Sequence, residues 1–272
     1  MMGAWTADDT AGVLSEPTGS DDKYSRGVLG VRTGSDRYPG AAVLGVEAAW
    51  RTGVGMVRYL GPRRAADLVL HRRPETVYAD GRVQAWLIGS GTDAAARTSD
   101  ETAALREILR GDVPVIVDAG ALDLVGDTSA PVIVTPHDRE HDRLRDVFGL
   151  ASVDGDRVDA AVETARVAGV VVLLKGAMTV VTDPHGEVHR IDVETHHLAT
   201  AGSGDVLAGV VGALAAAVST GTPLASVAAS GAWLHSRAAL LAVRANGGGP
   251  VTALDVAASL PAAIGALGPA QA

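Results

Sequence analysis

The chain has 272 residues, no cysteine and a formal net charge of −9, from 23 basic and 32 acidic side chains. This length allows one large α/β core. The negative charge argues against nucleic acid or an anionic membrane as a partner, and the lack of cysteine excludes disulfides and thiolate sites. The polar, acidic N-terminus lacks the apolar core of a secretory signal, so we expect a cytoplasmic protein.

Short apolar runs alternate with longer Ala-rich stretches along most of the chain. The predicted strands are Val28–Thr33, Met56–Leu60, Ala85–Ile88, Val113–Val117, Val132–Val134, Val170–Leu174 and Thr179–Thr182. The helices predicted between them are Pro39–Thr52, Arg63–Leu70, Ser99–Leu109, Arg139–Val147 and Val158–Ala168. Continuously apolar strands that alternate with helices are typical of a parallel sheet with right-handed crossovers. The pattern therefore predicts an α/β fold.

The pattern changes after Thr182. Three helical segments follow, at Val206–Val218, Leu224–Ala242 and Ala253–Ile264. Turn-forming residues at 183–187 predict an antiparallel hairpin of Thr179–Thr182 with Val188–Ile191 at the sheet edge. With no linker inside the chain, we expect a single domain over residues 23–272, preceded by a disordered segment over residues 1–22.

The strongest candidate for chemistry is the turn 201–205, Ala-Gly-Ser-Gly-Asp, which directly precedes an apolar helix. Free backbone N–H groups and the positive end of the helix dipole make such a turn suitable for phosphate. Asp205 could accept a proton from a substrate hydroxyl while phosphorus is attacked. The alternative interpretation is that Ser203 or Asp205 only caps the helix.

Several other motifs follow apolar strands, where ligands of open α/β sheets collect. They are Lys175-Gly176, Ile88-Gly89-Ser90-Gly91, Asp118-Ala119-Gly120 and Thr135-Pro136-His137. Small residues also begin the helix at Tyr38-Pro39-Gly40-Ala41. Each motif has a structural alternative: a solvated lysine or histidine, a helix-capping aspartate, or tight packing. Their common position at strand ends predicts one shared crevice.

Two common nucleotide motifs are missing from the sequence. It has neither a Gly-x4-Gly-Lys-Ser phosphate loop nor a Gly-x-Gly-x-x-Gly turn after the first strand, which argues against a Walker nucleoside triphosphatase and an ordinary Rossmann dehydrogenase. The eight histidines show no metal-ligand spacing. We therefore predict no protein-built metal site.

Together these motifs resemble the carbohydrate-kinase-like NAD(P)H-hydrate dehydratases of the ribokinase-like superfamily. The resemblance extends from about Lys23 to Ile264, and its most specific part is the stretch Ala199–Gly209, which contains the glycine turn. It implies a three-layer α/β/α fold. It also implies substrate contacts at Ala41, Gly91, His137 and Asp205, with Asp205 catalytic. The nucleotide contacts that it implies are Lys175, Gly176, Ala177, Met178, Thr179, Gly202, Ser203 and Gly204.

By that resemblance, the chain repairs NADH or NADPH whose reduced ring has added water. The ring hydroxyl of the (S)-hydrate would be phosphorylated by ADP or ATP with Mg²⁺, and elimination of the phosphate would restore the cofactor. The resemblance favours ADP as the donor. It also implies a homotetramer, and a separate epimerase for the other hydrate stereoisomer, because the epimerase domain often fused ahead of this module is not in the sequence.

The sequence departs from the family pattern at four places. Gly89-Ser90-Gly91-Thr92-Asp93 replaces a Gly-Pro-Gly-Leu-Gly turn, Gly120 replaces an aspartate, Asp138-Arg139 replaces Pro-Gly after His137, and residues 23–27 replace a Lys-Gly-Asp element. Two rival functions stay open. One is an ATP-dependent kinase of a small vitamin-precursor alcohol such as hydroxyethylthiazole or hydroxymethylpyrimidine, and the other is a non-catalytic nucleotide-binding homologue.

Overall fold

A nine-stranded sheet forms the centre of the molecule in the computed structural model, which describes residues 3–152, 155–219 and 221–268. The strands are β1 (Gly3–Ala4), β2 (Val28–Arg32), β3 (Met56–Tyr59), β4 (Ala85–Ile88), β5 (Val115–Val117), β6 (Val132–Val134), β7 (Val171–Leu174), β8 (Met178–Thr182) and β9 (Val188–Asp192). Their order across the sheet is β1-β9-β8-β7-β6-β5-β4-β2-β3. Strand β8 is antiparallel to both β7 and β9, and the other pairs are parallel.

Helices cover both faces of the sheet. They are α1 (Ala7–Val13), α2 (Pro39–Thr52), α3 (Arg63–Arg72), α4 (Ser99–Leu109), α5 (Asp138–Val147), α6 (Arg157–Ala168), α7 (Ser203–Ala217), α8 (Leu224–Ala245) and α9 (Ala253–Gly265), with 3₁₀ segments at Ala119–Asp127 and His196–Leu198. Helices α2, α7, α8 and α9 pack in one apolar cluster, and α4 and α6 in another.

Neighbouring residues of one strand belong to different clusters. In β4, Leu87 faces the α7 side and Ile88 the α4 side; in β7, Leu173 and Leu174 divide in the same way. This is the period of two expected for a strand buried on both faces. The predicted mostly parallel α/β/α sandwich with an antiparallel hairpin is confirmed.

Helices α2 and α7 pack in unusually close contact. A Cβ on Gly209 of α7 would lie 2.3 Å from the carbonyl oxygen of Gly45 in α2, so only glycine allows this approach. Close packing places the first turn of α7 beside Leu44 and Gly45 of α2, since Gly202 lies near Leu44 and Gly45 lies near the backbone of Asp205. The small residues that the sequence shows in both helices therefore position the glycine turn against α2.

The prediction of a disordered N-terminal segment is wrong for residues 3–13, which form β1 and α1; Met1 and Met2 lie outside the described residues. Thr6 and Asp9 form a capping box, and the Trp5 indole N–H donates to the Thr10 hydroxyl (3.1 Å). Strand β1 pairs with His189 and Arg190 of β9. The predicted hairpin therefore has one further strand outside it.

Candidate active site at the carboxyl ends of the strands

Asp118, directly after β5, is the centre of a polar cluster. Its side chain is buried, and its Oδ2 accepts from the Ser90 hydroxyl (2.9 Å). Its Oδ1 accepts from the Thr135 hydroxyl (2.7 Å) and from Lys175 Nζ (3.0 Å). These partners follow β4, β6 and β7, so one carboxylate ties together four adjacent strand ends. This cluster confirms that the polar residues after these strands meet at one edge.

Lys175 extends the cluster toward α5. Its Nζ lies 3.6 Å from Glu140 Oε2, and Glu140 forms a reciprocal capping box with His137 at the start of α5. Burial opposes the positive charge of Lys175, but Asp118 and Glu140 outweigh burial and raise the pKa of the amine above its ordinary value. Lys175 therefore stays protonated and can bind an anion.

Asp205 lies next to this cluster, in the first turn of α7, and is half-buried. Burial, followed by the negative charge of Asp118, raises the pKa of Asp205 from 3.8 to about 7, although Lys175 acts in the opposite direction. A carboxyl group that gains and loses its proton near neutral pH suits a general base. Such a shift is common at functional sites and uncommon for a simple cap.

The start of α7 is shaped by glycines. Gly202 is the N-cap residue with φ of +86°, a left-handed conformation that favours glycine, and the helix begins at Ser203, three residues before the predicted start. A Cβ on Gly204 would lie 3.4 Å from Lys175 Nζ. The first backbone N–H groups of α7 and the lysine amine thus lie together, which favours a phosphate there.

A cavity of about 590 Å³ opens beside Lys175 and the start of α7; we call it the Lys175 cavity. Its lining includes His137, Lys175, Gly176, Ala177, Thr179, Ser203 and Gly204 among the residues predicted to bind ligands. The volume lies in the range of nucleotide-sized sites. Met178 packs instead against the apolar cluster of α4 and α6, and Gly202 packs against Leu44 of α2.

A second cavity, of about 400 Å³, lies on the other side of Glu140; we call it the Tyr38 cavity. Its lining is Tyr38, Thr92, Asp93, Ala94, Ala119, Gly120, Leu122, Asp123, Glu140, Arg143, Leu144 and Val147. Ala41 and Gly91 are not part of this lining, but they lie close to each other: a Cβ on Gly91 would lie 2.4 Å from Ala41 Cβ and 2.9 Å from the Tyr38 carbonyl oxygen. The predicted substrate contacts Ala41 and Gly91 are thus neighbours.

Sequence reasoning undervalued some residues of the site. Helix capping was the structural alternative for Asp118, but its side chain makes no cap hydrogen bond and instead accepts from Lys175 Nζ. Arg157 was not singled out, yet it donates to the carbonyl oxygens of Met178 (2.6 Å) and Lys175 (2.9 Å) and pairs with Asp138 (2.8 Å). The negative charge of Asp138, a residue that departs from the family pattern, is thus compensated by Arg157. The strand-end position was the available signal for Asp118.

The polar side chains of this site do not form a metal-binding site by themselves. Within residues 3–152, 155–219 and 221–268, no group of three or more histidine or carboxylate side chains is arranged to hold a metal ion. Both oxygens of Asp118 already accept hydrogen bonds, and Glu140 Oε2 accepts from the His137 N–H (2.9 Å). The residues present thus do not fit a resident Mg²⁺ held by protein ligands alone.

Comparison with known proteins shows which family the chain is similar to. The family model for NAD(P)H-hydrate dehydratase matches residues 29–262. A bifunctional NAD(P)H-hydrate repair enzyme of Mycobacterium leprae is 43% identical over 275 residues, covering 96% of this chain and 56% of that protein. An ADP-dependent (S)-NAD(P)H-hydrate dehydratase of Neisseria meningitidis is 36% identical over 166 residues, covering 58% of this chain and 54% of that protein.

A solved structure matches nearly the whole chain. It is the ADP/ATP-dependent NAD(P)H-hydrate dehydratase of Bacillus subtilis, co-crystallized with ATP/Mg²⁺, which superposes with a TM-score of 0.87 at 26% identity and covers 98% of this chain and 99% of that chain. The present chain spans about half the length of the curated relatives it matches. The family model, the sequence relatives and the fold agree, and the chain belongs to the NAD(P)H-hydrate dehydratase family.

Proposed function

We propose that this chain uses an adenine nucleotide to dehydrate the (S)-hydrate of NADH or NADPH and restore the reduced cofactor. The observation that carries the proposal is that Lys175 and the start of α7 line a nucleotide-sized cavity, with Asp205 in the same helical turn and within the electrostatic influence of Lys175. Membership of the NAD(P)H-hydrate dehydratase family supports the same reaction. The ADP-dependent relative in Neisseria meningitidis supports ADP as the donor.

The Lys175 cavity is the proposed site of the donor nucleotide. Its walls are apolar at Leu198, Leu207 and Ala232, which suits a purine base, and polar at Ser203 and Gly204, where phosphates would meet the α7 amides. The amine of Lys175, kept charged by Asp118, would balance the charge that builds on the transferred phosphoryl group. Donor phosphates and Asp205 would then be neighbours.

Asp205 is the proposed general base. It would take the proton of the ring hydroxyl while the hydroxyl oxygen bonds to the terminal phosphorus of ADP and the bond to AMP breaks. The bond between the ring carbon and the phosphate oxygen then breaks, and its electron pair leaves with the phosphate. The neighbouring ring carbon loses a proton, and the ring double bond is restored. The balance is hydrate plus ADP giving reduced cofactor, AMP and inorganic phosphate.

Mg²⁺ enters this proposal as part of the metal–nucleotide complex, that is, with the substrate. The Bacillus subtilis structure was obtained with ATP/Mg²⁺, and the protein side chains present here do not enclose an ion by themselves. A bound ion would neutralise phosphate charge. The protein supplies the helix amides, the amine of Lys175 and the carboxylate of Asp205.

The reaction is tested by giving the purified protein hydrated NADPH or NADH with Mg²⁺ and either ADP or ATP. We expect the absorbance of the reduced nicotinamide to return, faster with ADP, and AMP and phosphate to form in equal amounts. Asp205→Asn should lower kcat by about 10² to 10⁴, the usual contribution of a general base. The surface variant Asp112→Asn is the matched control, because Asp112 is exposed and lies outside both cavities.

Unchanged turnover in Asp205→Asn would remove Asp205 from the role of base. A phosphorylated product that accumulates without recovery of the absorbance would instead indicate a kinase. Lack of any nucleotide-dependent change would contradict the proposed reaction.

Three further parts of the proposal concern the protein in the cell. We propose a cytoplasmic protein that forms a homotetramer and works together with a hydrate epimerase activity. Among the described residues, none of the helices is long and apolar enough to cross a membrane. Light scattering of the purified protein measures the oligomeric state.

A further inference from the structure

The turn that joins β7 to β8 lines the Lys175 cavity with Lys175, Gly176 and Ala177. The carbonyl oxygen of Gly176 accepts from the Thr179 hydroxyl (3.4 Å), and that of Ala177 accepts from the Val193 N–H (3.3 Å). The N–H groups of Gly176 and Ala177 have no acceptor within the described part of the chain. Two successive free N–H groups in a turn are suited to an anion.

Arg157, the first residue of α6, holds both ends of this turn. Its Nη2 donates to the carbonyl oxygen of Lys175 (2.9 Å), and its Nη1 donates to that of Met178 (2.6 Å). A Cβ on Gly176 would lie 2.8 Å from Arg157 Nη2, so the guanidinium lies directly against the turn. Arg157 is not part of the cavity lining, and it therefore contacts the turn from outside the cavity. Because the guanidinium is rigid and planar, one side chain fixes the two carbonyl groups relative to each other.

Asp138 contacts the same guanidinium from the start of α5. Its Oδ1 accepts from Nη2 (2.8 Å) and Nε (3.3 Å) of Arg157. Asp138 also lines the Lys175 cavity, and it belongs to the Asp138-Arg139 pair that replaces the Pro-Gly of the family pattern. Arg157 thus joins α5, α6 and the turn at a place where this chain departs from that pattern.

We propose that Arg157 is a positioning residue for the donor nucleotide, which holds the turn 175–178 so that the N–H groups of Gly176 and Ala177 face the nucleotide phosphates. It acts through the turn, from outside the cavity. The proposal rests on the proposed function for the identity of the ligand. Loss of Arg157 frees two carbonyl groups of the turn, so the two N–H groups are no longer held in one orientation.

Binding of ADP with Mg²⁺, measured by titration calorimetry in the absence of a hydrate, tests this role without turnover. Arg157→Gln should raise the Kd for ADP about tenfold, because the phosphates lose donors that are held in place. Arg157→Lys should stay within about twofold of Arg157→Gln, because an ammonium group keeps the charge but not the forked geometry. In turnover assays the KM for ADP should rise in both variants, with kcat unchanged within about twofold, since Asp205 lies outside the turn.

Arg166→Gln is the matched control, because Arg166 is an exposed arginine of the same helix that lines neither cavity. It should leave the Kd for ADP unchanged. Urea unfolding of each variant, measured alongside binding, shows whether the fold is retained.

Gly176→Ala gives a second test that leaves Arg157 in the chain. The added methyl group would displace the guanidinium from the turn. It should raise the Kd for ADP about fivefold in the protein that keeps Arg157, and less than about twofold in Arg157→Gln, because both substitutions break the same contact. Additive effects of the two substitutions would contradict a role that passes through this contact.

Unchanged ADP affinity in Arg157→Gln, with or without a loss of stability, would overturn the positioning role, and so would full recovery in Arg157→Lys. If ADP does not bind the unaltered protein, both this role and the proposed donor site fail. If the variants weaken ADP binding as expected while hydrates are not turned over, the positioning role stands and the proposed reaction fails.

Discussion

Asp205 has a carboxyl group in surroundings that disfavour its charge. Burial and the negative charge of Asp118 raise its pKa to about 7, so the side chain is partly protonated near neutral pH. A folded-state pKa above the unfolded value of 3.8 contributes stability that is fully present below pH 3.8 and is lost as pH rises through about 7. The group proposed to act as base therefore destabilises the fold most when it is ionised.

This residue gives a prediction in two measurements. The rate constant kcat/KM should rise with pH along an acid limb whose apparent pKa is about 7. Asp205→Asn should also raise the free energy of unfolding at pH 8 by on the order of 1 kcal/mol or more, and much less at pH 4, as measured by urea denaturation. Equal stabilisation at both pH values would show that the charge of Asp205 is not the cause.

At the residue scale, the sequence signals for the candidate site are local. Asp205 follows two glycines and Lys175 ends an apolar strand, and both patterns are visible within a few residues. The role of Asp118 was not visible, because its partners Ser90, Thr135 and Lys175 are 28, 17 and 57 residues away in the chain. Only the sheet brings them together.

At the scale of elements, glycines allow backbone segments of the site to pack closely against each other. Gly91 has φ of +67°, and a side chain there would collide with Ala41 of α2. Gly149 has nearly the same conformation, with φ of +66°, but has open space where its side chain would be. Substitutions at these two positions therefore distinguish the effect of backbone strain from the effect of close packing.

We expect Gly91→Ala to destabilise the fold more than Gly149→Ala by about 1 to 3 kcal/mol, because only the first substitution adds a steric clash to the left-handed strain. Gly91→Ala should also raise the KM for the hydrate, since the displaced Ala41 lies at the proposed ring site. Thermal unfolding and steady-state kinetics of both variants check this. Equal losses in the two variants would contradict a close contact between Gly91 and Ala41.

The elements themselves were largely predictable, with errors at their ends. Helix α7 begins at Ser203 rather than Val206, because Ser203, Gly204 and Asp205 resemble a turn in sequence although they form a helical first turn. The 3₁₀ segment Ala119–Asp127 begins at Ala119, whose φ of +45° is a conformation that local sequence rules do not anticipate for alanine. Both departures occur beside the site.

At the scale of the whole molecule, the N-terminal segment is part of the packed structure. The Trp5 ring packs edge-on against His189, with centroids 4.6 Å apart, and Trp5 also contacts the main apolar cluster. The segment looked disordered because it is short, polar and acidic. Its pairing partner, β9, is more than 180 residues away in the sequence.

We therefore expect Trp5→Ala to lower the free energy of unfolding by about 1 to 3 kcal/mol, the range for loss of a partly buried aromatic ring. Tyr24→Ala is the control, because Tyr24 is also aromatic and near the N-terminus but is 45% exposed. Its effect should stay within about 0.5 kcal/mol. Denaturant unfolding of the two variants measures both changes. Similar small changes in both would show that residues 3–13 contribute little to the stability of the fold.

The ion pair between Lys175 and Glu140 lies between the two cavities, with one partner lining each. Two compartments with a shared wall would let two ligands be bound at once, so that neither has to leave before the other arrives. The proposed transfer would then be direct, within a ternary complex, and no side chain would have to carry the phosphoryl group between two half-reactions.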